Sequence, residues 1–116
     1  MTNGRVDPSV IQELDRLEAR GRPDPRALVI IELVEPARVS GEGSPRRQLA
    51  RLEEQVHELQ QRLLERLHDL GVTDPPRQMV LANGIAAELT RGQVMAISTH
   101  PDVRRIHLAR EERVTT

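Results

Sequence analysis

Phenylalanine, tyrosine, tryptophan and cysteine are all absent from this 116-residue chain. Without cysteine there are no disulfides and no thiolate metal sites. Without aromatic rings there is no platform on which unpaired bases could stack, which disfavours a single-strand nucleic-acid module. The core must instead be built from Leu, Val, Ile, Ala and Met, which bury less apolar area per residue. A single domain of moderate stability, helped by a partner, is the consequence. Charge of one sign is also lacking. Seventeen basic residues stand against eighteen acidic ones, a formal net charge of −1, which gives no global attraction to nucleic acid or an anionic membrane. No stretch approaches the roughly 20 apolar residues of a membrane span. The opening "MTNGRVDPSV" has no apolar signal core, so the cytoplasm is the default location.

What is present reads as alternating helices and strands. Asp7 before Pro8 is a helix start, a capping carboxylate followed by proline at the first helical position. The run to Arg20 places Ile11, Leu14 and Leu17 at helical spacing, and Gly21 stops it. This helix reads as an appendage packed on the domain, joined by the non-helical linker "GRPDPR". "ALVIIELVE", Ala27 to Glu35, is a β-branched apolar run bounded by Pro25 and Pro36, suited to a central strand. Ser44 and Pro45 open a helix that runs to about Leu70, before Gly71. Its apolar stripe is Leu49, Leu52, Val56, Leu59, Leu63, Leu67 and Leu70. So long a helix overhangs short strands. Its outer end is expected to pair with the leading helix; a dimer seam along 45–70 is the other reading.

"RQMVLANGIAAEL" forms two strand-like pieces around Asn83-Gly84, a hairpin or one bent strand. Thr90 caps a short helix with Val94 and Ile97 facing inward, and Pro101 ends it. The last strand, "DVRRIHLA", has apolar positions Val103, Ile106 and Leu108, whose uneven spacing predicts a bulge near Ile106. The order β-α-β-β-α-β gives an α+β, ferredoxin-like fold: an antiparallel sheet with two helices on one face, after a short N-terminal helix. The expected divisions are 1–26 for helix and linker, 27–109 for the sheet domain and 110–116 for an extended tail.

Chemistry is not indicated. His57 and His68 lie eleven residues apart on one helix, too far to share a metal. His100 beside Asp102 sits in a turn and suits local hydrogen bonds. "SGEGS" lacks the lysine and the preceding strand of a phosphate loop, and no serine sits in a nucleophile elbow. No enzyme, cofactor or metal is expected. On the long helix Glu53, Glu54, Glu58, Glu65 and Asp69 interleave the arginines, which reads as a solvated, salt-bridged face rather than a nucleic-acid surface.

The stretch "MVLANGIAAELTRGQVMAISTHPDVRRIHL" resembles the propeptide domain of subtilisin-type serine proteases, which also occurs as free-standing peptidase inhibitors. The matching positions are Asn83, Gly84, Ala87, Leu89, Thr90, Pro101, Val103 and Ile106. "PRALVIIELVEP" is similar to the family's first strand. The likeness covers about 25 to 116 in pattern and is strongest over 79 to 108. It implies an inhibitor or folding chaperone whose sheet packs on two surface helices of the protease. The C-terminal tail, Arg110, Glu111, Glu112, Arg113, Val114, Thr115 and Thr116, would then lie in the active-site cleft as a product mimic. Ile85 stands where the family has an aromatic, and His107 and Ala109 stand where members often carry acids. A non-inhibitory interaction module and a small-molecule-binding regulatory domain are the competing expectations. Neither nucleic acid nor membrane is expected as a partner.

Overall fold

The computed structural model describes residues 4–34, 44–79 and 83–109. The elements in chain order are α1 (Pro8–Ala19), β1 (Arg26–Leu33), α2 (Pro45–Asp69), β2 (Arg77–Met79), β3 (Gly84–Thr90), α3 (Arg91–Ile97) and β4 (Val103–Leu108). The fold is α+β: a four-stranded antiparallel sheet, ordered β2-β3-β1-β4, with three helices.

β1 is central, as its apolar, β-branched composition demands. It pairs with β3 from Arg26↔Thr90 to Glu32↔Gly84, and with β4 from Val29↔Leu108 to Leu33↔Val103. Alternation divides it cleanly. Ala27, Val29, Ile31 and Leu33 are buried, while Leu28 is exposed and Ile30 and Glu32 are half-buried. The buried set joins Ile85, Ala87 and Leu89 of β3 and Val103 and Ile106 of β4 in one core with the apolar residues of all three helices.

The uneven spacing in β4 is resolved by a register shift: Glu32 faces Arg105 and Leu33 faces Val103. Arg104 is the extra residue, and the bulge lets Val103 and Ile106, three apart, share the buried side. It falls two residues before Ile106. Around Asn83 the chain makes a hairpin, with β2 antiparallel to β3. Asn83 takes the left-handed region at φ 44°, a conformation asparagine tolerates. Its side-chain amide donates to Val34 O at 3.0 Å and its carbonyl accepts from Leu33 N at 3.0 Å, tying the turn to the end of β1.

The two longer helices begin and end alike. Asp7 accepts from Ser9 N at 2.9 Å and Ser44 from Arg47 N at 3.4 Å, each with proline next. Gly21 and Gly71 follow their C-caps at φ 77° and 86°. At each, a bond closes back five residues, Arg22 N to Leu17 O and Val72 N to Leu67 O. Only a residue indifferent to positive φ permits that closure without strain. α3 opens with a capping box between Thr90 and Gln93. Gln93 Nε2 also donates to Leu70 O at 3.2 Å, joining α3 to the end of α2.

α1 is built into the core: Val10 and Leu14 are fully buried. Ahead of it Val6 forms a parallel bridge to Ile106, with Asp7 N donating to Ile106 O at 2.8 Å and Ile106 N to Arg5 O at 2.7 Å. The leader thus straps the outer edge of β4. α1 packs on β1 and β4. The expected pairing of α1 with the outer end of α2 is corrected here. Only Leu59, Leu63 and Leu67 of the stripe are buried, and Leu49 and Leu52 stay 57% and 39% exposed. Val10 and Leu14 reach a closer apolar surface on the sheet itself. The buried Gln60 marks where the supported half of α2 begins: its Nε2 donates to Met79 O at 3.3 Å and its Oε1 accepts from Gln78 at 3.2 Å. Among the described residues no helix is long and apolar enough to cross a membrane.

Candidate partner-binding face

The side of the sheet away from the core carries Leu28, Ile30 and Glu32 of β1, with Ala86 and Glu88 opposite them on β3. On β4 it carries Arg105 and His107, opposite Glu32 and Ile30. Leu28 is 46% exposed, an apolar side chain with water on one side. Polar and charged groups surround this apolar strip. His107 Nε2 lies 2.8 Å from Glu32 Oε2, and Arg105 Nη2 donates to Asp7 Oδ2 at 2.8 Å. The Ser9 hydrogen bonds, first to its backbone N–H, and then the Arg105 guanidinium hold the Asp7 carboxyl at about 2, well below its usual 3.8.

Two depressions include parts of the strip. One of about 500 Å³ is bounded by Asp7, Ser9, Ile30, Glu32, Arg105 and His107. The other, of about 340 Å³, is bounded by Leu28, Asp74, Pro75, Arg77, Ala86 and Glu88. Both carry polar and apolar groups side by side.

The positions that carried the family resemblance take structural places. Asn83 makes the turn. Gly84 begins β3 facing Glu32 and Met79. Ala87 and Leu89 are buried opposite Val29 and Ala27. Thr90 caps α3, Val103 and Ile106 are buried, and Pro101 sits exposed in the turn before β4. These residues specify turn, register, cap and core, and none of them lies among the Leu28 and Ile30 strip that a partner would meet. The tail Arg110 to Thr116 lies outside the described residues. The last described residue is Ala109, whose N–H donates to Leu28 O at 3.0 Å, which keeps it paired with β1 beside the exposed strip.

The histidines divide. His57 and His68 are exposed on α2. His100 Nδ1 accepts from Asp102 N at 3.1 Å, and Arg62 Nε donates to Asp102 at 3.2 Å, a local turn network. Among the described residues no three His, Asp or Glu side chains gather as a metal site. Sequence reasoning missed the leader strap and the Glu32–His107 pair. The alternation of β1 against β4 could have placed Glu32 and His107 on one face, but the Arg104 bulge had to be located first.

No family model matches this chain, and no curated protein or solved structure matches it either.

Proposed function

We propose that this chain is a binding protein of the propeptide type, acting on a subtilisin-type serine protease as an inhibitor or folding chaperone without chemistry of its own. On this reading the β-α-β-β-α-β order, with strands arranged β2-β3-β1-β4, is the ferredoxin-like arrangement, and the strip around Leu28 and Ile30 packs on the protease. The observation that carries the reading is the placement of Ala109, which pairs with Leu28 at the edge of an exposed, partly apolar strip. The tail from Arg110 to Thr116 would then add as a strand to the substrate-binding edges of the enzyme. Anchoring by the folded domain raises the tail's effective concentration at the cleft. No cofactor, nucleic acid or membrane enters this mechanism.

The test is the rate of peptide hydrolysis by a subtilisin-type protease with the full chain or with a chain ending at Ala109. Slowing by the full chain and loss of that slowing on truncation are the expected results. Equal inhibition by both would overturn the tail mechanism, and inhibition by neither would overturn the inhibitor reading.

A second reading has its own observation. The exposure of Leu49 and Leu52 favours a non-inhibitory interaction module on the same fold, working through the outer turns of α2.

A further inference from the structure

α2 is 25 residues long, about 37 Å at the helical rise. Its buried residues, Leu59, Gln60, Leu63 and Leu67, all lie in the C-terminal half, and no residue of the N-terminal half is buried. There Leu49, Leu52 and Val56 prolong the line of Leu59, Leu63 and Leu67, but Leu49 and Leu52 face solvent and Val56 is half-buried. An apolar line of this kind pointing at water is the first observation.

The second is the order of charge along the same turns. Arg46, Arg47 and Arg51 come first, then Glu53, Glu54 and Glu58. This runs against what a lone helix favours. The first turn holds no acidic residue and two arginines at the positive end of the helix dipole. Arg47 with Arg51 and Glu54 with Glu58 are like-charge pairs four apart, which weaken a helix. Among the described residues none of these six side chains forms an ion pair. A segment that is basic at one end and acidic at the other is complementary to itself when reversed.

We propose that two copies of this chain associate through the outer turns of α2, antiparallel about a two-fold axis near residues 50 and 51. In that register Leu49 packs against Leu52 of the second copy and Leu52 against its Leu49, while Val56 meets its Pro45. Arg46 faces Glu53 of the second copy on one flank, and the same pair recurs across the axis, as an isologous contact requires. Arg46 of each first turn gains a carboxylate that its own helix does not supply. The supported halves of the two helices point away from each other, so the sheets sit at opposite ends. Both Leu28 strips stay free, and the pairing does not depend on what the strips bind. The contact spans only about three turns per helix, so it falls among small interfaces and is concentration-dependent rather than obligate.

Sedimentation equilibrium on the full chain tests this. The mass should climb from the 13.1 kDa of one chain toward twice that value as concentration rises. R46E and E53R should each weaken association by about tenfold or more, since each sets like charges face to face twice. An equimolar mixture of R46E and E53R should associate as the native chain does, because the mixed pair has opposite charges at both contacts. L49K combined with L52K should abolish association with unchanged far-ultraviolet circular dichroism. A native chain still monomeric at about 1 mM, association that survives L49K with L52K, or a mixture no better than either charge variant alone would each overturn the proposal.

Discussion

α1 and the outer half of α2 make an instructive pair. Both are three to four turns long, both open with a capping side chain and a proline, and both carry an apolar stripe. Val10 and Leu14 of α1 are entirely buried, whereas Leu49 and Leu52 of α2 lie open. The difference is in tethering. α1 follows a residue bridged to Ile106, its cap Asp7 is held by Arg105, and Arg91 pairs with Asp15 and Glu18 near its other end. Among the described residues Arg46, Arg47, Arg51, Glu53, Glu54 and Glu58 in the outer turns of α2 form no ion pair. A stripe states that a helix has an apolar side; the reach of neighbouring elements decides whether anything covers it.

The largest test of this contrast is substitution in the two stripes. Leu14→Ala should cost about 3 kcal/mol in chemical denaturation, the usual price of emptying a packed leucine site. Leu49→Ala should change stability by less than about 0.5 kcal/mol in dilute solution. Similar costs for the two would break the comparison. Next in size is amide hydrogen exchange. Amides of residues 49–54 should exchange at least about tenfold faster than those of residues 12–17, since fraying the outer turns exposes no core. Raising the protein concentration should slow exchange in the first set alone if those turns self-associate.

The smallest effect concerns Asp7, the anchor that α1 has and the outer half of α2 lacks. Its carboxyl titrates at about 2 in the folded chain and at 3.8 otherwise. A depressed carboxylate stabilises fully above its unfolded value and loses that contribution as pH falls toward the folded one. The melting temperature of the native chain should therefore fall between pH 4 and pH 2 more steeply than that of Asp7→Asn, which keeps a capping oxygen without the charge. Parallel slopes would show that the Ser9 and Arg105 contacts do not act through ionisation.

Much of the fold could be read from local chemistry. Asp7-Pro8, Ser44-Pro45 and Thr90 mark three helix starts, Gly21 and Gly71 two stops, and the run from Ala27 the central strand; each signal lies within a few residues of the feature it specifies. The bulge at Arg104 was less legible, since Val103, Ile106 and Leu108 show that alternation fails without showing where. Whether Asn83-Gly84 folds a hairpin depended on β2 finding β3, because flanks that alternate only partly do not decide it. The fate of Leu49 and Leu52 was not legible at all: it depends on which distant elements come near them. The candidate face was visible as the alternate positions of β1, but the strap over β4 rests on Val6 meeting Ile106, a hundred residues away.

That strap has a consequence for life in a crowded solution. An open sheet invites other chains to continue it, and the hazard grows with the length and flatness of its bare margins. Here one margin is overlaid by the chain's own beginning, and the other is a strand of three residues following two prolines. Neither offers a growing fibril much to template upon, so trimming the first seven residues should show itself as turbidity.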